Sequence, residues 1–369
     1  MKIAVFHSFM DNIGGAEMVT LFLAKGLNAD IYTTNIDTDK IKKMGFEDII
    51  PRIKSIGKIP QTAPFRQQLA FWKFRKLNLG KKYDFYIISG DWAMSGVVNN
   101  KPNMWYVHSP LNELWAFKDY VRNNLLSWWK KPIYDIWIWF NRILTLNYSK
   151  YVMIWVCNSN NTKERIKKYY KKEATVINPP VDIFKHDINT KSDNFWLSVN
   201  RLSIAKRIEI QTKAFSKLNS ERLVIVGSYE KEVKQFEDYK KYIENTKSNN
   251  IEIKNWVDNK ELTNLYNTCK GFITTAKDED FGMTPIEAMA SGKPIIAPNE
   301  GGYKESIING KTGILIDNID ENKLIEAIEK IDNELISNPN KYKNNCLEQA
   351  KKFDIKEFIK KIEEEIYNK

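Results

Sequence analysis

Short apolar runs alternate with amphipathic segments along most of this chain. Strand candidates occupy residues 3–6, 30–34, 85–89 and 103–108 in the first half, and 195–202, 223–226 and 251–257 in the second. The segments between them include 16–26, which has helical periodicity and closes on a glycine, as helices commonly do. Strands that alternate with helices favour a parallel sheet covered by helices. The pattern therefore predicts an α/β protein.

A proline pair marks the middle of the chain. Pro179-Pro180 cannot continue a helix and stiffens the backbone, and the next strand candidate begins near 195. A chain of 369 residues can bury two substantial cores. We therefore predict two domains that meet at about residues 185–192.

The segment 279–292 (EDFGMTPIEAMASG) lies between two apolar runs, which predicts the order strand, loop, helix, strand. Thr284 can cap this helix, with Pro285 at the first helical position, where a missing N–H costs nothing. Glu279 and Glu287 then flank a helix N-terminus whose free N–H groups suit an anion. The same spacing is also that of a capping box, in which Glu287 only reaches back to the N-cap backbone.

Two further candidates stand at the ends of predicted strands in the first half. Gly14 and Gly15 would let the backbone approach a phosphate closely, although an ordinary strand-to-helix turn has the same pattern. The turn lacks the G-x-G-x-x-G of a dinucleotide site. His108 stands at the carboxyl end of its strand, where parallel sheets bind ligands, although a single histidine is also common as a structural residue.

A pair of cations opens the second half. Arg201 ends one strand candidate and Lys206 follows five residues on, at a predicted helix start. Together they suit a diphosphate, because a guanidinium can bridge two oxygens and an ammonium adds a point charge. Surface cations are common, so the pattern alone leaves a solvated role open.

The net charge of +11, from 57 basic and 46 acidic residues, favours an anionic partner. Nucleic acid, anionic lipid and nucleotide sugars all qualify. Because no RNP, zinc or helix-turn-helix pattern is present, a nucleic-acid-binding module is disfavoured. Three cysteines without CxxC spacing favour free thiols in a reducing, cytoplasmic setting.

Aromatic and basic residues concentrate in two stretches, 65–82 and 121–155. A helix from about Ile133 would have apolar residues on more than one face. It is either buried between neighbouring helices or lies at a membrane interface, where basic residues beside aromatic ones suit anionic headgroups. The amino terminus has too few apolar residues for a signal peptide, and no run approaches the ~20 apolar residues that span a bilayer.

The segment 279–292 carries a family resemblance. A Glu279-x7-Glu287 pair with Phe-Gly inside it, followed by Glu-Ala-Met-Ala-x-Gly-x-Pro, resembles retaining GT-B glycosyltransferases of family 4. The resemblance implies two Rossmann-like domains that face a central cleft and transfer a hexose from a nucleoside diphosphate sugar. It places the first glutamate beside the donor sugar and the second on the ribose hydroxyls. Asp280 departs from the family, which has glycine there.

The same resemblance assigns roles along the chain. It implies catalytic roles for His108, Arg201, Lys206 and Glu279, with the two cations offsetting the charge of the leaving diphosphate. It implies donor binding at Gly14, Gly15, Trp256, Val257, Phe281, Gly282, Met283, Thr284 and Glu287. No cofactor and no metal are expected, because the acidic triplet 278–280 lies within the donor loop. The domains become 1–186 for the acceptor and 187–349 for the sugar nucleotide, with a helix in 350–369 that packs back on the first.

Donor and acceptor are predicted less directly. The segment from His108-Ser109-Pro110 to Trp115 is similar to that of GDP-mannose-using members, which favours mannose and leaves UDP-sugars open. The basic aromatic surface suggests a polyprenyl-linked or glycolipid acceptor, with peripheral contact to an anionic membrane at the cytoplasmic side of the plasma membrane. The alternative is a sugar-nucleotide-binding protein without transfer activity, or an epimerase of the same architecture.

Overall fold

The computed structural model describes residues 1–61, 65–111, 114–186, 192–227, 234–255 and 257–367. The chain divides into two compact units. The first comprises Met1–Pro180 together with Ile355–Lys369, and the second comprises Val181–Asp354. The sequence had placed the corresponding limits at 186 and 349.

The first unit is built on one parallel sheet of seven strands. In chain order these are β1 (Ile3–Phe6), β2 (Asp30–Thr33), β3 (Ile53–Ser55), β4 (Phe85–Ile88), β5 (Asn103–Val107), β6 (Ile154–Cys157) and β7 (Thr175–Val176). Their order across the sheet is β3-β2-β1-β4-β5-β6-β7. Central strands such as β1 and β4 are buried along their whole length, as strands covered on both faces must be. The strand order reverses between β1 and β4, the topological switch point at which such sheets bind ligands.

In the described part of this unit, six helices accompany the sheet before the chain enters the second unit. They are α1 (Gly15–Gly26), α2 (Thr38–Lys43), α3 (Phe65–Lys76), α4 (Lys118–Tyr120), α5 (Lys131–Ser149) and α6 (Asn160–Tyr170). Short 3-10 turns occupy Glu47–Arg52, Asp91–Val98 and Trp128–Lys130. α6 begins after Ser159, whose hydroxyl oxygen accepts the N–H of Thr162 at 3.0 Å and so satisfies one free donor of the first turn.

The second unit repeats the architecture with six parallel strands. They are β8 (Trp196–Val199), β9 (Leu223–Val226), β10 (Ile251–Lys254), β11 (Gly271–Ile273), β12 (Ile295–Pro298) and β13 (Gly313–Ile316). The order β10-β9-β8-β11-β12-β13 is that of a Rossmann sheet, with its switch point between β8 and β11. The helices are α7 (Ile208–Lys217), α8 (Lys234–Thr246), α9 (Asn259–Thr268), α10 (Thr284–Ala290), α11 (Tyr303–Ser306), α12 (Glu321–Ser337) and α13 (Lys343–Lys351).

The last helix, α14 (Ile355–Tyr367), belongs to the first unit. Its apolar side chains recur three or four residues apart and are buried: Phe358, Ile359, Ile362 and Ile366. α14 lies so close to α1 that a Cβ on Gly26 would come within 2.4 Å of Ile359. The ring of Phe358 packs edge-on against Tyr106 of β5, with centroids 5.7 Å apart.

The predicted fold class, α/β with two Rossmann-like units, is confirmed by the two parallel sheets. Several strands are shorter than predicted. β5 ends at Val107, so His108 is the first residue beyond it, and β10 ends at Lys254 rather than at 257. Within the described residues, no helix combines the length and apolarity needed to cross a bilayer.

Candidate functional site

An ion pair lies beyond the carboxyl ends of β8 and β11, at the switch point of the second unit. Lys206 ends a short 3-10 turn, Ile204–Lys206, and Glu279 lies in the loop that follows β11. The Lys206 Nζ is 2.5 Å from the Glu279 Oε2, and about three quarters of each side chain is shielded from solvent. Two residues that the sequence predicted as catalytic are therefore in direct contact.

The loop that carries Glu279 packs tightly on the glycines before α11. Gly301 has a φ of +58°, and a Cβ there would come within 2.4 Å of the Glu279 carbonyl oxygen. The N–H of Gly302 donates to that same oxygen at 2.8 Å. Gly282 has a φ of +85°, and a Cβ there would come within 2.5 Å of the Tyr303 ring. Asp280 is not among the positive-φ residues, so an aspartate in place of the family's glycine strains no backbone there.

A second cation fixes the start of this loop, and the sequence analysis missed it. The guanidinium of Arg207 donates to the carbonyl oxygens of Thr275 at 2.6 Å and Ala276 at 3.2 Å, and it forms an ion pair with Glu300. Arg207 has a φ of +50°. Its place directly after Lys206 is the only signal in the sequence. Arg207 therefore holds the loop, and Lys206 is the neighbour whose ammonium contacts Glu279.

The Glu287 carboxylate is held by side chains from α9 and from the segment before β8. The Tyr266 hydroxyl donates to Oε2 at 2.7 Å, and Lys185 Nζ lies 3.6 Å from Oε1. Burial, followed by the nearby Glu287, raises the pKa of the Tyr266 phenol well above its usual value, so this donor stays protonated. α10 begins at Thr284, one residue earlier than predicted, and Met283 at its N-cap makes no side-chain capping bond. Both the predicted Thr284 cap and the capping-box alternative for Glu287 are therefore wrong.

The remaining predicted residues of the second unit differ in how far they are buried. Arg201 is exposed and lies two residues beyond β8. Phe281 and Val257 are buried in the core of the unit. Met283 is partly buried and packs against the same core. Trp256 lies outside the described residues.

In the first unit, His108 ends a chain of hydrogen bonds that the sequence did not predict. Its Nε2 lies 2.8 Å from the Ser89 hydroxyl, which lies 2.7 Å from the Thr20 hydroxyl. Thr20 in turn donates to the Ala16 carbonyl at 2.8 Å and lies 3.0 Å from His7 Nδ1. Because the one Thr20 proton goes to Ala16, Ser89 donates to Thr20 and accepts from His108. The chain thus favours His108 with its proton on Nε2 and an acceptor nitrogen at Nδ1.

The charge state of His108 agrees with this assignment. Burial, aided by the nearby His7 and opposed by Glu17, lowers the pKa of His108 to about 3. The imidazole is therefore neutral near pH 7. A neutral ring can exchange hydrogen bonds with hydroxyl groups but adds no charge to balance a phosphate.

The Gly14-Gly15 turn stands beside these groups on the first unit. Gly14 caps α1 with a φ of −164°, an extended conformation open to any residue, and Gly15 begins the helix. Glu17 lies in the first helical turn, with a carboxylate oxygen 4.0 Å from His7 Nε2. Because an acidic side chain already uses the field of this helix N-terminus, a bound phosphate would compete with it.

These side chains are suited to binding a polar ligand and to stabilising charge on it. The second unit offers an ammonium beside a carboxylate at one sheet edge and an oriented carboxylate near it, and the first offers a neutral imidazole at its own edge. The described residues contain no cluster of three or more His, Cys, Asp or Glu side chains placed to hold a metal ion.

Comparison with known proteins shows that this chain is similar to glycosyltransferases. Residues 181–353 match the family described as glycosyl transferases group 1. The alpha-1,3/1,6-mannosyltransferase ALG2 of Candida glabrata is 29% identical over 420 residues, covering 94% of this chain and 88% of that protein. The protein of the same name from Dictyostelium discoideum is 26% identical over 421 residues, covering 98% of this chain and 97% of its own.

Solved structures agree on the fold. Anabaena Alr3699/HepE in complex with UDP-glucose superposes with a TM-score of 0.75 and 18% identity, covering 100% of both chains. Sucrose-phosphate synthase from Thermosynechococcus elongatus superposes with a TM-score of 0.74 and 17% identity, covering 100% of this chain and 98% of that one.

Proposed function

We propose a donor and an acceptor for this chain, which is a glycosyltransferase of the GT-B fold, similar to alpha-1,3/1,6-mannosyltransferases. The proposed reaction moves a mannosyl group, with retention at the anomeric carbon, from a nucleoside diphosphate sugar to a lipid-linked or glycan acceptor. The observation that carries it is the Lys206–Glu279 contact at the switch point of the second sheet. The near full-length similarity to two mannosyltransferases supports the choice of sugar.

The oriented Glu287 carboxylate suits the nucleoside end of the donor. With Tyr266 donating to one oxygen, the lone pairs that remain can accept hydrogen bonds from two vicinal ribose hydroxyls. Lys185 offsets part of its charge at 3.6 Å. This role follows the family resemblance and gives Tyr266 the task of positioning the carboxylate.

The cations suit the diphosphate. In the proposed reaction the bond between the anomeric carbon and the diphosphate oxygen breaks, and an acceptor hydroxyl oxygen bonds to that carbon from the same face. The departing phosphate oxygen takes the hydroxyl proton. Negative charge therefore grows on the diphosphate, where Lys206 and Arg201 would stabilise it, an interaction that acts most strongly in the transition state. His108 is proposed as a neutral hydrogen-bond partner of the transferred sugar.

The Lys206–Glu279 pair also suggests what happens when the donor binds. The ammonium now lies 2.5 Å from a carboxylate, and a diphosphate would compete for it. We expect Lys206 to turn toward the phosphates and Glu279 to be left with hydrogen-bond capacity for the sugar hydroxyls. The base stays open between GDP and UDP: the sequence resembles GDP-mannose-using members of the family, and Alr3699/HepE was solved with UDP-glucose.

The proposal includes a place in the cell. A lipid-linked acceptor requires the enzyme to work at a membrane surface, and we propose the cytoplasmic face, where nucleotide sugars and free thiols both fit. The free cysteines Cys157, Cys269 and Cys346 are buried.

A panel of nucleotide sugars tests the proposal. The chain is incubated with GDP-mannose, UDP-glucose and UDP-N-acetylglucosamine, each with and without polyprenyl-linked and soluble saccharide acceptors. We expect nucleotide release that depends on the acceptor, fastest with GDP-mannose, and an α-linked product by NMR. Binding without release would support the non-transferring alternative, and interconversion of free sugar nucleotides would support an epimerase.

A further inference from the structure

The outer face of α5 is apolar. Five large apolar side chains recur three or four residues apart along this helix and are exposed, each by 40 to 66%: Ile133, Ile136, Trp139, Phe140 and Ile143. Trp128, just before the helix, is 82% exposed. The expectation that this segment is buried between neighbouring helices is therefore wrong for this face.

The inner face of α5 is packed against the core of the first unit, where Trp137, Leu144 and Tyr148 are partly buried. Its buried residues are Ile138, Asn141, Thr145 and Ser149. The Thr145 and Ser149 hydroxyls bond within the helix, where they donate to the Asn141 carbonyl at 2.9 Å and the Leu146 carbonyl at 2.8 Å. The Asn141 side-chain oxygen accepts from Gln68 of α3 at 3.4 Å. A helix on a water-facing surface normally turns its apolar stripe to the core, as α14 does with Ile362. In addition to its core-facing residues, α5 carries a second apolar stripe that faces away from the core.

α3 extends this surface. Phe65, Leu69 and Trp72 lie on one side of α3 at helical spacing and are 69, 39 and 42% exposed. The two helices are neighbours, because the ring of Phe71 on α3 lies 5.2 Å from Tyr148 on α5. Single exposed apolar residues are ordinary on proteins, but a group of this size marks an interaction surface.

The charges around these helices have one sign. Residues 65–76 and 128–150 together contain eight basic residues and one acidic residue. The acidic residue, Asp135, is paired with Arg122 at 2.9 Å. Lys130 lies 5.0 Å from the Trp129 ring, so cation and aromatic face stand together at the start of α5. The surface therefore complements an apolar partner with negative charges at its rim.

We propose that α3, α5 and Trp128 form a membrane-docking face that lies flat on a bilayer containing anionic phospholipids. The tryptophans would sit at headgroup depth and the isoleucines just below, while Lys130 and Lys131 contact phosphates. A second copy of this chain fits less well, because two faces of the same positive charge would oppose each other. The inference rests on the proposed function in that a lipid-linked acceptor would bring the enzyme to such a surface.

Vesicle binding tests the proposal without donor, acceptor or turnover. The full chain is sedimented with vesicles of phosphatidylcholine and phosphatidylglycerol, and with vesicles of phosphatidylcholine alone. We expect binding to the anionic vesicles. Ile136→Gln with Trp139→Gln should lower that binding at least tenfold, and Lys130→Gln with Lys131→Gln should reduce the preference for anionic lipid. Ile336→Gln, which replaces an isoleucine 81% exposed on the second unit, should bind as the parent does.

Three outcomes would overturn the inference. They are no binding by the parent, equal binding by the Ile136/Trp139 variant, or a parental dimer that this variant converts to a monomer. The last would identify a second copy as the occupant. Vesicle binding without any sugar transfer would contradict only the proposed function. Transfer to soluble acceptors without vesicle binding would contradict only the docking face.

Discussion

The carboxyl edges of the two sheets carry side chains of different charge. Beyond β5 the first unit places His108, a neutral imidazole in a chain of hydroxyl groups, and beyond β8 and β11 the second places Lys206 against Glu279. The Lys206–Glu279 pair lies at the switch point between β8 and β11, and His108 lies at the end of β5, next to the switch-point strand β4 of the first sheet. The carboxyl ends of strands in such sheets are where ligands bind. Topology therefore locates a site, and the side chains at each edge decide whether it handles neutral hydroxyls or phosphate charge.

Removing the charged pair should have the largest effect. Lys206→Ala deletes an ammonium proposed to stabilise the leaving diphosphate, and Glu279→Gln keeps the shape of its partner without the charge. Loss of one such group lowers kcat by about 10²–10³-fold, and we expect losses of that order for Lys206→Ala. Steady-state kinetics with donor and acceptor measure this.

A matched control separates chemistry from stability. Arg222 pairs with Glu252 at 3.1 Å at the opposite, amino-terminal edge of the same sheet, and Arg222→Ala should leave kcat within about twofold, since exposed pairs contribute little. Turnover within a few-fold of the parent in both Lys206→Ala and Glu279→Gln would remove the catalytic assignment.

The loop under Glu279 should be the next most sensitive feature. Gly301→Ala adds a methyl group 2.4 Å from the Glu279 carbonyl oxygen at a φ of +58°. We expect a loss of about 2–3 kcal/mol in the free energy of unfolding and a fall in kcat, because the carboxylate shifts with its backbone. Urea titration measures the first and steady-state turnover the second.

Gly80→Ala isolates the contact from the backbone strain. Gly80 has a φ of +57° and no atom within 4 Å of an added Cβ. The free energy of unfolding should therefore fall only by the cost of the positive φ, about 1 kcal/mol, and turnover should be unchanged. Equal destabilisation by the two substitutions would show that the backbone around Glu279 moves to accommodate the added methyl group at almost no energetic cost.

The sequence predicted those parts of the two edges that depend on local pattern. Most central strands were found because parallel strands are continuous apolar runs, and Glu279 and Lys206 because they follow such runs closely. The strands β3, β6, β7 and β13 were not predicted. The fold class and the resemblance to group 1 glycosyltransferases are confirmed.

Contacts between distant positions were not predictable in the same way. Tyr266 reaches Glu287 across 21 residues, and Ser89 reaches His108 across 19. Nothing in either segment marks a tyrosine or serine as a partner until the sheet brings the strands side by side. The predicted cap of α10 was wrong for a different reason: Thr284-x-x-Glu287 has the spacing of a capping box, but the helix begins at Thr284 and the Glu287 carboxylate accepts from Tyr266 instead.

The neutral imidazole of His108 should make the stability of the folded chain sensitive to acid. The pKa of His108 is about 3 in the folded chain and ordinarily near 6.5, so its contribution to stability is complete above pH 6.5 and is lost as the pH falls toward 3. Between pH 7 and 4.5 we expect the parent to lose about 1–2 kcal/mol from this group, below the full linkage value because the side chain is partly exposed.

His108→Gln cannot titrate and should show a shallower decline in urea midpoint over that range. His186 offers the comparison in the second unit, because burial, opposed by Glu287, lowers its pKa to about 4, and His186→Gln should act in the same direction. A parallel decline in parent and both variants would show that neither imidazole is held neutral.

The smallest effect should come from Ser89, which contacts no charged group. Ser89→Ala leaves the His108 Nε2 proton without its acceptor and lets the ring change tautomer. One hydrogen bond of about 1.4 kcal/mol corresponds to a tenfold fall in kcat, which we take as the upper limit. Ser95→Ala is the control, since its hydroxyl donates to the Phe71 carbonyl at 2.6 Å and is equally buried. If Ser89→Ala lowers kcat no more than Ser95→Ala, Ser89 is structural. If only Ser89→Ala lowers kcat, His108 acts through the position of its Nε2 proton, just as Lys206 is proposed to act through the position of its ammonium.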